Sequence, residues 1–92
     1  GGGTRLKILE CLALNTAVVS TVKGAQGLDL RHNEHLLLAD SPDAFADAVL
    51  HLFMDDALRS KLAREGRQQV YQKYNWKFVL PEFLRIVQQA GQ

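Results

Sequence analysis

Residues 16–40 read TAVVSTVKGAQGLDLRHNEHLLLAD, and two short apolar runs in this stretch decide the fold. Ala17-Val18-Val19-Ser20-Thr21 is rich in β-branched residues and reads as a buried strand. His35 to Asp40, HLLLAD, reads as a second. Neither run alternates apolar with polar residues, which suits strands covered on both faces and therefore paired in parallel. Thirteen residues separate Thr21 from His35, about the dozen that a parallel crossover needs. The connecting loop carries Gly24 and Gly27, which supply backbone freedom.

Helices flank this pair. Upstream, GGGTRLKILECLAL predicts a helix capped by Thr4 and running to about Leu14, with Ile8, Leu9, Leu12 and Ala13 inward. Asn15 suits the left-handed position that ends such a helix. Downstream, Ser41, Pro42 and Asp43 form a helix start. Phe45, Val49, Leu52 and Phe53 share one face of that helix. A break near Asp55-Asp56 leads into a helix from about Ala57 to Tyr74, with Leu58, Leu62, Val70 and Tyr74 inward. Gly66 lies on the same side, where a close packing contact would explain it. Asn75 caps a last helical stretch holding Trp76, Val79, Phe83 and Val87, which Pro81 kinks. The expected class is α/β, a partial Rossmann-like domain of two short parallel strands with flanking helices. Two strands are thin support for a sheet, so the chain reads as the back end of a doubly wound domain.

Composition narrows the function classes. The 92 residues make one small domain, and the formal net charge of +1 gives no general attraction to nucleic acid. No apolar stretch approaches the roughly 20 residues of a membrane span. The one cysteine, Cys11, excludes an internal disulfide framework and favours a reducing, cytoplasmic setting. It reads as core filler, with no basic neighbour marking a nucleophile. His32, His35 and His51 lack metal-ligand spacing and read as surface or locally hydrogen-bonded residues. The aromatics near the C-terminus fall at helical spacing and read as packing.

The leading glycines point to chemistry. The first N–H groups of a helix have no internal partner, and the dipole makes that end mildly positive. Phosphate is a natural occupant, and glycine lets it approach bare backbone. Arg5 and Lys7 add cations, Gly3, Thr4 and Leu6 contribute backbone, and the Glu10 carboxylate could accept hydrogen bonds from ribose hydroxyls. Together these describe a nucleotide diphosphate site. The spacing matches neither G-x-G-x-x-G nor the P-loop, and the glycines as a flexible end with Glu10 as a solvated acid is the competing reading. Lys23 and Gly24, after the strand end at Ser20-Thr21, are further loop candidates.

GGGTRLKILECLALNTAVVSTVKGAQGL, then EHLLLADSPDAFADAVLHLF and YNW, resembles the C-terminal part of the retaining GT-B (group 1) glycosyltransferases, which use nucleotide diphosphate sugars. The resemblance covers essentially the whole chain. It places the second glutamate of the family's Glu-x7-Glu motif at Glu10, as the ribose ligand, and turns the amides of Thr4, Arg5 and Leu6 toward the diphosphate and the sugar. The first motif glutamate would fall at position 2, where this chain has Gly2, which puts sugar selectivity in doubt. The implied donor is the nucleotide diphosphate sugar, with no metal and no other cofactor, since helix-end amides and cations can stabilise the departing diphosphate. The residues implied by the family ahead of this segment include the acceptor domain, so the chain alone is expected to be inactive. The alternative is a non-catalytic α/β module that homodimerises through an exposed strand edge or swapped helices.

Overall fold

A computed structural model describes residues 2–74 together with 84, 85, 88 and 89. The elements run α1 (Gly2–Ala13), β1 (Val19–Ser20), β2 (Leu37–Leu38), α2 (Pro42–Met54) and α3 (Asp56–Lys73). The last helical stretch expected from Asn75 onward, with its Pro81 kink, lies outside the described residues.

The strands pair in parallel, Val19 opposite Leu37 and Ser20 opposite Leu38. The Leu37 and Ala39 N–H groups donate to the Val18 and Ser20 carbonyls at 3.0 and 2.9 Å. The paired segments are shorter than the apolar runs that announced them, because Ala17 and His35 lie beyond the register. Alternation along the strands supplies two clusters. Val18, Leu36 and Leu38 join Ile8, Leu9, Leu12, Ala25 and Val70. Ala17, Val19 and Leu37 join Ala48, Leu52, Leu58 and Leu62. Both faces of the pair are therefore covered, which is why the runs carry no polar alternation. α3 reaches both clusters, through Leu62 near its start and Val70 near its end.

Local chemistry explains the helix ends. Asn15 takes φ 61°, its N–H donates to the Leu12 carbonyl, and the Thr16 N–H donates to the Cys11 carbonyl; this pair of bonds satisfies carbonyls that α1 leaves open. Ser41 Oγ accepts from the Ala44 N–H at 3.0 Å, and Asp55 Oδ1 accepts from the Leu58 N–H at 2.9 Å. The Arg59 guanidinium donates to the Leu52 carbonyl at 2.8 Å, tying α3 to the last turn of α2. Gly66 is the expected close contact: a Cβ there would sit 2.7 Å from Leu12 Cδ2 and 2.8 Å from the His35 carbonyl oxygen.

One expectation needs correction, and one face is less covered than its pattern suggests. α1 begins at Gly2, so Thr4 lies inside the first turn instead of capping it. Phe53 is 74% exposed and Phe45 also stands at the surface. The face of α2 is apolar as read, but β1 supports only part of its width, through Ala48 and Leu52.

Two side chains of α3 and its C-cap pin the crossover loop. Gln69 Nε2 donates to the Asp29 carbonyl at 2.8 Å, and the Asp29 N–H donates to the Tyr74 hydroxyl at 2.7 Å. His35 is 3% exposed, and its Nδ1 accepts from the Arg31 N–H at 3.0 Å. Burial pushes its pKa below the ordinary 6.5. The imidazole is neutral in the fold, and the unfolded chain binds a proton more readily. Its contribution to stability is thus full above about pH 6.5 and is lost as pH falls from there through the lowered folded value. Glu34, held below the usual carboxylate range by its hydrogen bond from Arg31, acts in the same direction only below 4.5. The urea midpoint is expected to drop between about pH 7.5 and about pH 5.5. A midpoint that stays level would show that His35 is protonated without cost.

Candidate functional site

The first turn of α1 exposes Gly3, Thr4 and Arg5, with Lys7 exposed one turn on and Leu6 half-buried. A helix starting at Gly2 commits the Leu6 amide to its own ladder, which leaves the free donors within the glycine-rich turn. This turn meets the segment that follows β1. A Cβ on Gly24 would sit 3.5 Å from Thr4 Cγ2, and one on Gly27 would sit 3.9 Å from Arg5 Nη1. Gly24 is needed for space, since that same Cβ would press on Ser20 Oγ and Thr21 Oγ1 at 2.9 and 3.0 Å. Gly27 is needed for its backbone, at φ 87°.

Beyond this junction opens a cleft of about 720 Å³ at the C-terminal ends of both strands. Its apolar lining includes Ala25, Leu28, Leu30 and Leu38, with exposed Lys23 and Asp40 among its polar residues. Asp40 Oδ1 accepts from the Val22 N–H at 2.8 Å, so the loops leaving the two strands are joined there. Crevices outside the carboxyl ends of parallel strands are where open α/β sheets bind ligands. Thr4 and Arg5 are thus brought to one end of the sheet, against Gly24 and Gly27, while Gly3 has nothing within 4 Å of its Cβ position and Lys7 is exposed one turn farther along the helix.

Glu10 is placed differently. It is 7% exposed, so a ribose can reach its carboxylate only if covering side chains move. Burial, and then the neighbouring Glu10 charge, push the Cys11 thiol up, with Lys7 opposing; Cys11 is half-buried and belongs to neither core cluster, so it is not the core filler expected, and Lys7 is the basic neighbour that the sequence reading did not count. His32 and His35 are both locally hydrogen-bonded, each accepting a backbone N–H at Nδ1. Among the described residues no group of three His, Cys, Asp or Glu side chains could hold a metal ion. The sequence reading missed Asp40 as the residue joining the two loops. Its place at the end of an apolar run, just before a helix cap, was the available signal.

The model of the family described as "Glycosyl transferase-like" matches residues 1–85. The chain belongs to this glycosyl transferase-like family. It is 32% identical over 81 residues to a phosphatidyl-myo-inositol mannosyltransferase of Mycobacterium leprae, covering 86% of this chain and 21% of that protein. It is 30% identical over 82 residues to the lipopolysaccharide core biosynthesis glycosyltransferase LpsE of Rhizobium meliloti, covering 87% of this chain and 24% of that one. The glycosyl transferase-like chain therefore spans about a fifth to a quarter of the length of these relatives. No solved structure matches it significantly. Among the described residues no helix is long and apolar enough to cross a membrane.

Proposed function

We propose that the chain forms the donor side of a glycosyltransferase that takes its sugar from a nucleotide diphosphate. The carrying observation is the junction of the α1 first turn with Gly24 and Gly27 at the carboxyl ends of two parallel strands, with the Arg5 guanidinium beside the cleft-lining Gly27. Free helix-end amides, Arg5 and Lys7 supply the positive field that a diphosphate requires. Within this reading the segment is the C-terminal half of a GT-B donor domain, transfer proceeds with retention, and no metal is required. Glu10 holds the ribose once its cover is displaced, and the sugar is bound without the carboxylate that Gly2 replaces. Transfer requires the remainder of the enzyme, and the single cysteine fits a cytoplasmic setting.

Titration with uridine or guanosine diphosphate should shift the amide signals of residues 3–10 and 24–27. Arg5→Ala or Lys7→Ala is expected to weaken binding about tenfold, the scale of one lost charge-assisted hydrogen bond. Unmoved signals at millimolar ligand would remove the donor reading.

One observation favours a second reading. Val18 and Ser20 turn their carbonyls to β2, so the Val19 backbone groups point to the opposite edge. Beside Val19 runs a groove of about 350 Å³ lined by Ala17, Phe45, Val49 and Phe53. A module that dimerises through this edge is the alternative, and a monomer in sedimentation at high micromolar concentration would dismiss it.

A further inference from the structure

The outer edge of β2 is closed by its own chain. Leu37 and Ala39 direct their N–H groups to β1, so the Leu36 and Leu38 backbone groups face the other way. An edge of this kind is an open template for another strand. Here the chain folds back over it. Asn33, at φ 65°, donates its N–H to the Leu36 carbonyl at 2.8 Å, and His32 bridges to Leu36 in the parallel sense. The Leu38 N–H donates to His32 Nδ1 at 2.9 Å. Lys61 from α3 holds the turn from behind, donating to the Asn33 carbonyl at 3.2 Å.

The acceptor on Leu38 is the unusual part. An imidazole accepts at Nδ1 only while that nitrogen is unprotonated, and a doubly protonated ring is a donor at both nitrogens. Histidine is the side chain whose charge ordinarily changes between about pH 5 and 8. A protonated His32 would set N–H against N–H, and the Leu38 amide would lose its partner.

We propose that His32 is a proton-gated cap on the outer edge of β2: neutral, it closes the edge at Leu38; protonated, it swings away and leaves the Leu38 N–H open. The exposed position of His32 gives the ring room to leave without disturbing the core. The charged groups at this turn are Arg31 and Glu34, paired with each other at 2.6 Å, and Lys61 of α3 at the Asn33 carbonyl; Asp29 and Glu65, with Arg31 and Glu34, act on the neighbouring His35. His35, buried behind the turn, is the second imidazole that acid can reach. Leu38 also lines the donor cleft, but the cap involves its backbone N–H and does not depend on a nucleotide binding there.

The test is hydrogen exchange at the Leu38 amide, corrected for intrinsic rate, with the nitrogen chemical shifts of the His32 ring recorded alongside. Protection of Leu38 is expected to fall roughly three- to tenfold between about pH 7.5 and about pH 5, the worth of one hydrogen bond. The fall should track protonation of His32 Nδ1. His32→Asn, which offers an acceptor that does not titrate, should retain protection across the range, and His32→Ala should lack it at both ends. His35→Asn separates the second imidazole and should leave the Leu38 response in place. Leu38 protection that ignores pH in the parent chain, or an acid response at Leu38 that survives in the double variant His32→Asn/His35→Asn, would overturn the proposal.

Discussion

Leu12→Ala should lower the thermal midpoint by more than any other single truncation on α1. Leu12 is fully buried at the centre of the cluster formed by α1, the strands and the end of α3. Its Cδ2 lies against Gly66, so the two helix backbones close directly on this side chain. Removing it forfeits the transfer free energy of the lost carbons and leaves a void that a close-packed helix pair fills poorly. The cost of such changes is about 2–5 kcal/mol, against a total of roughly 5–15 kcal/mol for a typical domain. At roughly 4–8 °C for each kcal/mol in a domain this small, the midpoint should fall by about 10 °C or more. Leu12→Met, which roughly conserves volume, should cost less than about 1.5 kcal/mol. Equal losses in the two variants would show that the site is not tightly packed.

Gly66→Val is the second large effect, and its sign is opposite to what helix propensity alone suggests. Valine is a better helix former than glycine by a few tenths of a kcal/mol. That gain is overridden because the new Cβ meets Leu12 Cδ2 at 2.7 Å and the backbone oxygen of His35 at 2.8 Å. The carbonyl belongs to the turn leading into β2 and cannot yield without moving the strand. Overpacking of this kind costs about 1–3 kcal/mol and occasionally more, and a branched side chain puts this site at the upper end. Gly3→Ala is the natural comparison, since nothing lies within 4 Å of the position its Cβ would take. There the helix gains about 0.5–1 kcal/mol from lost chain entropy. Chemical denaturation of the pair should therefore move in opposite directions. A stabilised Gly66→Val would mean that α3 stands farther from α1 than described.

The features that could be read from residues alone are those whose causes are local. Ser41, Asp55 and Asn15 announce helix ends because a short polar side chain or a left-handed backbone acts within a turn of itself. The parallel pairing of β1 and β2 was legible because unbroken apolar runs and the length between them admit few arrangements. Gly66 was legible because a glycine on a helix's inner side is costly without a close neighbour. The start of α1 was misplaced because three glycines argue against helix by propensity, which is a weak prior that the wider fold overrides. Phe53 shares the α2 face as read, and its exposure was not legible because periodicity defines a face and says nothing of how wide a surface lies beneath it. The position of Arg5 beside Gly27 depends on how the loop after β1 folds across α1, and the burial of Glu10 on tertiary packing, neither of which a local pattern encodes. The closed edge at His32 was hidden for the same reason: its partner, Leu38, is six residues away across a turn.

Because α3 contributes to the clusters on both sides of the sheet, neither side can melt while the other persists. Detaching this one helix would strip Val70 from the first layer and Leu62 from the second, and would release the crossover loop held by Gln69. Heat or denaturant should therefore dissolve the described unit in a single cooperative step, with the slowest-exchanging amides spread along α3 instead of confined to either layer.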